Sequence, residues 1–165
     1  MSSGVKKTNA MRMLDSAKIP YEVRTYEFEE TDLAGIHAAD AVGMPYETVF
    51  KTLVARGDKT GFVVFCIPVA EELDLKKAAR ASKNKSVELL HVKDLLPTTG
   101  YIRGGCSPVG MKKEFPTYID ETAMLFDAIA VSGGMRGVQL IVNPDQLLGF
   151  VKGCLLYTSP SPRDS

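Results

Sequence analysis

Residues 48–67 have the sequence TVFKTLVARGDKTGFVVFCI and decide the fold, because a polar turn separates two apolar runs. The first run, Thr48–Ala55, predicts a strand, and Asp58-Lys59-Thr60-Gly61 predicts the turn of a hairpin. The second run, Phe62–Ile67, is almost continuously apolar and predicts a strand that is buried on both faces. Cys66 in this second strand is expected to be an ordinary core residue, because free cysteine is among the most buried residue types.

Lys51 would be energetically unfavourable to bury in this hairpin, because it places a charge next to Thr52 in an otherwise apolar strand. Removing an ammonium group from water is expensive unless the group meets an anion, faces a wet cleft or lowers its pKa. One interpretation is therefore a lysine aimed into a functional pocket. The other is a lysine at the strand edge whose charge reaches solvent.

The rest of the chain adds helices and strands around the hairpin, predicted from apolar periodicity and from turn residues. In chain order they are a helix over Lys6–Lys18, a strand over Tyr21–Tyr26, an acidic connection over 27–32, a short helix ending near Gly43, a helix over Leu75–Ala81 capped by Asp74, a strand near Val87, a helical turn over His91–Leu96 that breaks at Pro97, strands over Thr117–Asp120, Ala128–Val131 and Val138–Val142, and a last helix that begins at Asn143-Pro144-Asp145. Because the strands and helices do not alternate strictly, the sequence predicts one α+β domain with a mixed sheet.

Two glycine-rich stretches are expected to form shaped loops. The first glycine segment is Gly104-Gly105-Cys106-Ser107-Pro108-Val109-Gly110, and the second is Gly133-Gly134-Met135-Arg136-Gly137. Glycine lets the backbone approach a ligand and present its N–H groups, so the first segment suits an acyl or phosphate site, although a tight turn is the commoner use of such residues. A nucleotide-binding P-loop is excluded, because Met111 replaces its lysine and Pro108 removes an N–H.

Charge and composition limit the possible partners. The chain has 20 basic and 20 acidic residues, so only a local patch could attract a polyanion. The densest basic stretch is Lys76, Lys77, Arg80, Lys83 and Lys85, followed later by Lys112 and Lys113. This stretch is either a solvated helix face or a contact surface for a polyanion.

The chain lacks the residues that several functional classes of protein require. Three cysteines without a CxxC pair argue against a disulfide framework and favour a reducing, cytoplasmic compartment. The two histidines, His37 and His91, have no second ligand at a useful spacing, so we expect no metal and no cofactor. No apolar run reaches membrane length, so we expect no membrane partner.

The last residues differ in character from the rest. Residues 155–165, LLYTSPSPRDS, lose all periodicity and become rich in serine and proline. We therefore assign residues 1–154 to the domain and predict that 155–165 is a non-native or disordered tail.

Five stretches together resemble the YbaK/EbsC family of Cys-tRNA(Pro) deacylases, which are related to the editing domain of prolyl-tRNA synthetases. They are Tyr26, Val49–Leu53, Leu73–Lys77, Gly104–Lys113 and Val131–Gly137, in a consistent order within Lys6–Val151. The resemblance implies a curved, partly barrel-like mixed sheet with helices packed outside. It also implies hydrolysis of the ester that joins a mischarged amino acid to tRNA(Pro), with aminoacyl-tRNA as the partner and prolyl-tRNA synthetase as a possible second one.

The resemblance also implies roles for particular residues. Lys51 matches the lysine that the family needs for activity, and residues matching the substrate pocket are Tyr26, Thr52, Gly104, Gly105, Ser107 and Gly134. The basic residues Lys76, Lys77, Arg80, Lys112 and Lys113 are the candidate tRNA contacts. One departure is Gln139, where some members carry an aspartate.

Three functional alternatives stay open. In the family, the cysteine thiol of the substrate is thought to attack its own ester, whereas on chemical grounds alone Cys106 is a rival nucleophile. A related specificity such as Ala-tRNA(Pro) would use the same fold. A non-catalytic module that binds tRNA or a synthetase would keep the basic patch without needing Lys51.

Overall fold

The computed structural model describes residues 6–27 and 36–157. Its helices are α1 Asn9–Ser16, α2 Ile36–Val42, α3 Leu75–Ala81, α4 Val92–Thr99 and α5 Pro144–Phe150, with short 3₁₀ helices at Tyr46–Thr48 and Glu121–Leu125. Its strands are β1 Tyr21–Thr25, β2 Phe50–Gly57, β3 Gly61–Pro68, β4 Val87–Leu89, β5 Thr117–Asp120, β6 Ile129–Ser132, β7 Val138–Val142 and β8 Cys154–Leu156. The predicted single α+β domain is confirmed. Most of the predicted acidic connection lies outside the described residues.

The strands form two sheets. One has the order β1-β7-β6 and is antiparallel, and the other has the order β4-β2-β3-β5-β8. The second sheet is mixed, because β2 pairs antiparallel with β3 and β4 whereas β5 pairs parallel with β3 and β8. An isolated parallel bridge between Val49 and Ala130 joins the two sheets.

The helices begin where the sequence supplies side-chain caps. Thr8 accepts a hydrogen bond from the Met11 N–H at the start of α1, and Asp74 accepts two, from the N–H groups of Lys76 and Lys77, at the start of α3. Such caps satisfy N–H groups that the first helical turn leaves without partners. The predicted cap at Asp74 is therefore confirmed.

Strand β3 is the centre of the core, which explains its continuous apolar sequence. Val64 and Cys66 face the larger core, which also contains Phe50 and Leu140. The alternate residues of β3, including Phe65, face a second core that is closed by α3. Because successive side chains of a strand point to opposite faces, a strand buried on both faces must be apolar at every position.

Two expectations about the shape of the fold differ from the structure. The predicted break at Pro97 is wrong, because α4 continues to Thr99 and ends at Gly100, whose φ is 88°. Proline removes only one N–H from the helix, and the Thr99 hydroxyl donates to the Leu95 carbonyl at 2.8 Å in the last turn. The partly barrel-like curvature is also not found in the described residues, where neither sheet closes or curls strongly.

The boundary of the predicted tail also differs. Leu155 and Leu156 belong to β8, and Leu156 is 3% exposed in the second core, so the ordered domain extends beyond residue 154. A local pattern could not reveal this pairing, because β8 is short and its partner β5 is distant in sequence. The segment 158–165 lies outside the described residues, and its non-native origin stays a prediction. Among the described helices, none is long and apolar enough to span a membrane.

Candidate active site

A cavity beside β2 is lined by residues of both sheets. Strand β4 pairs with β2 at residues 55–57, the Leu90 N–H donates to the Val54 carbonyl at 2.9 Å, and a bridge joins Val49, just before β2, to Ala130 of β6. A cavity of about 570 Å³ lies beside this part of the chain. Its walls are Tyr26, Val49–Val54, Val69, Glu72, Leu73, Leu75, Leu89, Leu90, Val92, Leu95, Arg103, Gly104, Cys106, Ser132 and Gln139.

Lys51 lies half-buried in this cavity, as the functional interpretation of its strand predicts. Burial lowers the pKa of its ammonium group, because an apolar environment disfavours the charged form. The negative charges of Glu72 and Glu71 oppose this effect, and Glu72 itself lines the cavity. Lys51 is therefore a partly desolvated cation that faces a space large enough for a ligand.

Two further predicted pocket residues join Lys51. Thr52 lines the cavity, with its hydroxyl 3.8 Å from the buried sulfur of Cys66. Tyr26 lines it from the end of β1, where its N–H donates to the Gly137 carbonyl at 2.9 Å. The second glycine segment thus holds the backbone of Tyr26 in position.

The first glycine segment contributes only part of its length to the cavity. Gly104 and Cys106 line it, but Gly105 and Ser107 are absent from its walls. Ser107 is fully buried, and its hydroxyl accepts a hydrogen bond from the Val109 N–H at 3.2 Å. In the described structure Ser107 therefore stabilises a turn, and its contact with substrate stays a prediction.

Gly105 and Gly134 lie where backbones approach closely. A Cβ on Gly105 would be 3.0 Å from the Cα of Met135, so the two glycine segments touch there. Gly134, at φ 101°, would place a Cβ 3.1 Å from the Tyr101 ring and 3.2 Å from Thr8. Both glycines thus lie where neighbouring segments pack closely and not in the cavity walls, and their direct contact with substrate also stays a prediction.

Side-chain hydrogen bonds from Thr8, Arg136 and Tyr101 brace the two glycine segments. The Thr8 hydroxyl donates to the Gly133 carbonyl at 2.5 Å, and the Arg136 Nε–H donates to the Arg103 carbonyl at 2.9 Å. The Tyr101 hydroxyl donates to the Val109 carbonyl at 2.7 Å, and burial raises the pKa of this phenol to about 12. The beginning of α1 and Tyr101 therefore brace the loop that carries Gly104.

Cys106 is poorly suited to be a nucleophile. Burial raises the pKa of its thiol to about 12, and a hydrogen bond with Thr99 only partly opposes this effect. Only the thiolate attacks efficiently, and at neutral pH almost none would be present.

The cavity contains four polar residues that the sequence analysis did not assign to it: Glu72, Arg103, Ser132 and Gln139. Gln139 is 6% exposed, and its side-chain oxygen is buried without a hydrogen-bond partner among residues 6–27 and 36–157. A polar residue within the apolar strand Val138–Val142 was the signal that could have revealed it, as for Lys51 in β2.

The candidate tRNA-binding cations lie outside the cavity walls. Lys76, Lys77 and Arg80 belong to α3, which begins at Leu75 on the cavity rim. Lys112 lies against the end of α4, where its Nζ donates to the Pro97 carbonyl at 3.4 Å, and Lys113 is exposed. No cluster of three potential metal ligands occurs within residues 6–27 and 36–157.

Comparison with known proteins gives consistent similarities. A family model described as an aminoacyl-tRNA editing domain matches residues 32–150. A provisionally named Cys-tRNA(Pro)/Cys-tRNA(Cys) deacylase, EbsC of Enterococcus faecalis (strain ATCC 700802 / V583), is 52% identical over 148 residues, which is 90% of each chain.

Solved structures show the same fold. A crystal structure provisionally described as a trans-editing enzyme for prolyl tRNA synthetase has a TM-score of 0.75 at 24% identity, covering 92% of this chain and 96% of the other. A hypothetical protein has a TM-score of 0.80 at 18% identity, with coverages of 90% and 97%. On the family match and the 52% identity, the chain belongs to the aminoacyl-tRNA editing domain family, in its YbaK/EbsC branch.

Proposed function

We propose that this protein is a trans-editing hydrolase that cleaves the aminoacyl ester of mischarged Cys-tRNA(Pro). The observation that carries the proposal is the half-buried cation of Lys51 in a cavity on a YbaK/EbsC fold. The 52% identity to a chain provisionally named for this activity supports the choice of substrate. The cavity volume of about 570 Å³ also falls within the range of small-molecule sites.

The chemistry we propose uses the thiol of the substrate as the nucleophile. Its sulfur bonds to the ester carbonyl carbon, the bond from that carbon to the ribose oxygen breaks, and the thiol proton passes to the departing oxygen. The products are a tRNA with a free terminal hydroxyl and a four-membered cysteine thiolactone, which water then opens to cysteine. The raised pKa of Cys106 supports this route over an enzyme nucleophile.

Lys51 then acts by charge. As the carbonyl oxygen becomes negative, a nearby ammonium that is partly shielded from water stabilises it more strongly than a solvated ammonium would. Tyr26, Thr52 and Gly104 line the same cavity and would orient the aminoacyl end, which makes the attacking sulfur effectively intramolecular.

The setting of the enzyme is also part of the proposal. Cys66, Cys106 and Cys154 are free thiols, which suits the cytoplasm. The basic residues of α3 would contact the body of the tRNA, and prolyl-tRNA synthetase would deliver the substrate. The domain would extend to about residue 157, with a non-native tail after it.

A panel of aminoacyl-tRNAs tests the function. Purified protein is expected to release cysteine from Cys-tRNA(Pro) much faster than alanine from Ala-tRNA(Pro), and to leave Pro-tRNA(Pro) intact. Faster release of alanine would show the related specificity, and binding without release from any member would show a non-catalytic module.

A further inference from the structure

We propose that Arg103 binds the phosphate on the 5′ side of the terminal, aminoacylated nucleotide. This inference rests on the proposed function, and it assigns a second positive site in the same cavity. Arg103 lines the cavity but is exposed, whereas Lys51 is half-buried in its wall. The two cations therefore occupy an outer and an inner position.

The charge of Arg103 is available to a ligand. Within residues 6–27 and 36–157, no ion pair involves Arg103. The carboxylate charges acting on Lys51 are those of Glu72 and Glu71. Lys51 is thus partly balanced by nearby carboxylates, while the guanidinium of Arg103 has no carboxylate partner in the described part of the chain.

The position of Arg103 is fixed by its backbone rather than by its side chain. Its carbonyl accepts the hydrogen bond from Arg136 Nε, and the next turn is closed by the Gly105 N–H, which donates to the Ile102 carbonyl at 3.0 Å. The close approach of Gly105 to Met135 holds the same loop from behind. The side chain therefore extends from a braced loop, and its removal leaves these backbone contacts in place.

The chemistry of the substrate supplies a matching anion. In aminoacyl-tRNA the ester is on the terminal ribose, and the nearest negative charge is the phosphate on the 5′ carbon of that same ribose. If the ester carbonyl lies beside Lys51 and the ribose is directed outward, this phosphate would lie beside the exposed side chain of Arg103. The planar guanidinium can donate two parallel hydrogen bonds to phosphate oxygens, which makes arginine well suited to this contact.

Exposed apolar residues at the rim of the cavity are consistent with this orientation of the terminal nucleotide. Leu75, Leu89 and Val92 line the cavity and are 41%, 46% and 56% exposed. Such a surface can cover the base of the terminal nucleotide, while Arg103 holds its phosphate. Among the described residues that line the cavity, Arg103 is the only arginine, so the outer anion contact is assigned to it.

Two minimal substrates test this assignment directly: 3′-cysteinyl-adenosine, and the same ester with a 5′-phosphate. The wild-type protein is expected to bind the phosphorylated compound on the order of tenfold more tightly, because hydrogen bonds between charged groups contribute at least this much to binding. Arg103→Ala should remove this preference, so that the two compounds bind equally well. Arg103→Lys should restore only part of it.

The matched control is Arg56→Ala. Arg56 is an exposed arginine of β2 that lies over the Phe62 ring and outside the cavity walls, so its removal should leave the phosphate preference unchanged. With full-length Cys-tRNA(Pro), Arg103→Ala should raise KM, keep kcat, and reduce the salt slope of binding by about one unit.

Several results would overturn the assignment. In the first, the Arg103→Ala variant still prefers the phosphorylated compound. In the second, Arg103→Ala weakens the binding of both compounds equally. In the third, the wild-type protein itself shows no preference. The proposed function fails separately, if wild-type protein releases no cysteine from Cys-tRNA(Pro).

Discussion

Replacing Gly105 with alanine is expected to push the two glycine segments apart. The new Cβ would lie 3.0 Å from the Cα and carbonyl carbon of Met135 and 3.1 Å from the Arg136 nitrogen. Comfortable carbon–carbon contacts are about 3.5–4.0 Å, so one backbone must move by roughly 0.5 Å or more. Overpacking of this kind costs about 1–3 kcal/mol in the free energy of unfolding.

Urea denaturation followed by circular dichroism measures this cost. We expect the midpoint of Gly105→Ala to fall by roughly 1 M, and deacylation to fall because Gly104 and Arg103 move with the loop. The control is Gly149→Ala in α5, where a Cβ meets nothing within 4 Å, and which should gain about 0.5–1 kcal/mol. If Gly105→Ala keeps both its midpoint and its activity, the two segments do not need this contact.

Three other substitutions test separate parts of the account. Cys106→Ser should keep most of the deacylase activity in a kinetic assay, because the thiol is buried and protonated, and a loss of orders of magnitude would make Cys106 the nucleophile. Gln139→Leu should raise the free energy of unfolding by up to about 1–3 kcal/mol, because it removes a buried oxygen that has no hydrogen-bond partner among the described residues. A marked fall of the urea midpoint would instead show that the Gln139 side chain makes a stabilising hydrogen bond. Neutralising Lys76 and Lys77 together should flatten the salt dependence of tRNA binding by about one to two units, and an unchanged slope would make α3 a solvated face.

Site residues could be recognised from the sequence where a single polar residue interrupts an apolar strand. Lys51 interrupts an apolar strand, and the energetic cost of burying its charge left two interpretations, a functional pocket or a strand edge that reaches solvent. In the structure Lys51 lines a cavity. Gln139 interrupts β7 in the same way, so the same rule could have found it. The hairpin, the Asp74 cap and the Gly43 helix end are likewise local features that few neighbouring residues determine.

The sequence was insufficient where the partner of a residue is distant. A glycine that approaches a ligand and a glycine that approaches another backbone have the same local pattern, and Gly105 faces Met135. The Ser107 hydroxyl binds within its own turn rather than facing the cavity. The pairing of β8 with β5 and the cavity along β2 depend on which strands meet, and no short stretch of sequence contains that information.

The most direct test of the account is the single-turnover rate of Lys51→Ala on Cys-tRNA(Pro), compared with wild-type protein and with Lys59→Ala. Lys59 is an exposed lysine in the turn of the same hairpin, so its variant controls for loss of one positive charge. If the cation of Lys51 stabilises the developing negative charge, the rate should fall by about 10²–10³ while the urea midpoint stays close to that of wild type. A Lys51→Ala variant that is folded and deacylates at a rate near that of Lys59→Ala would contradict the central claim.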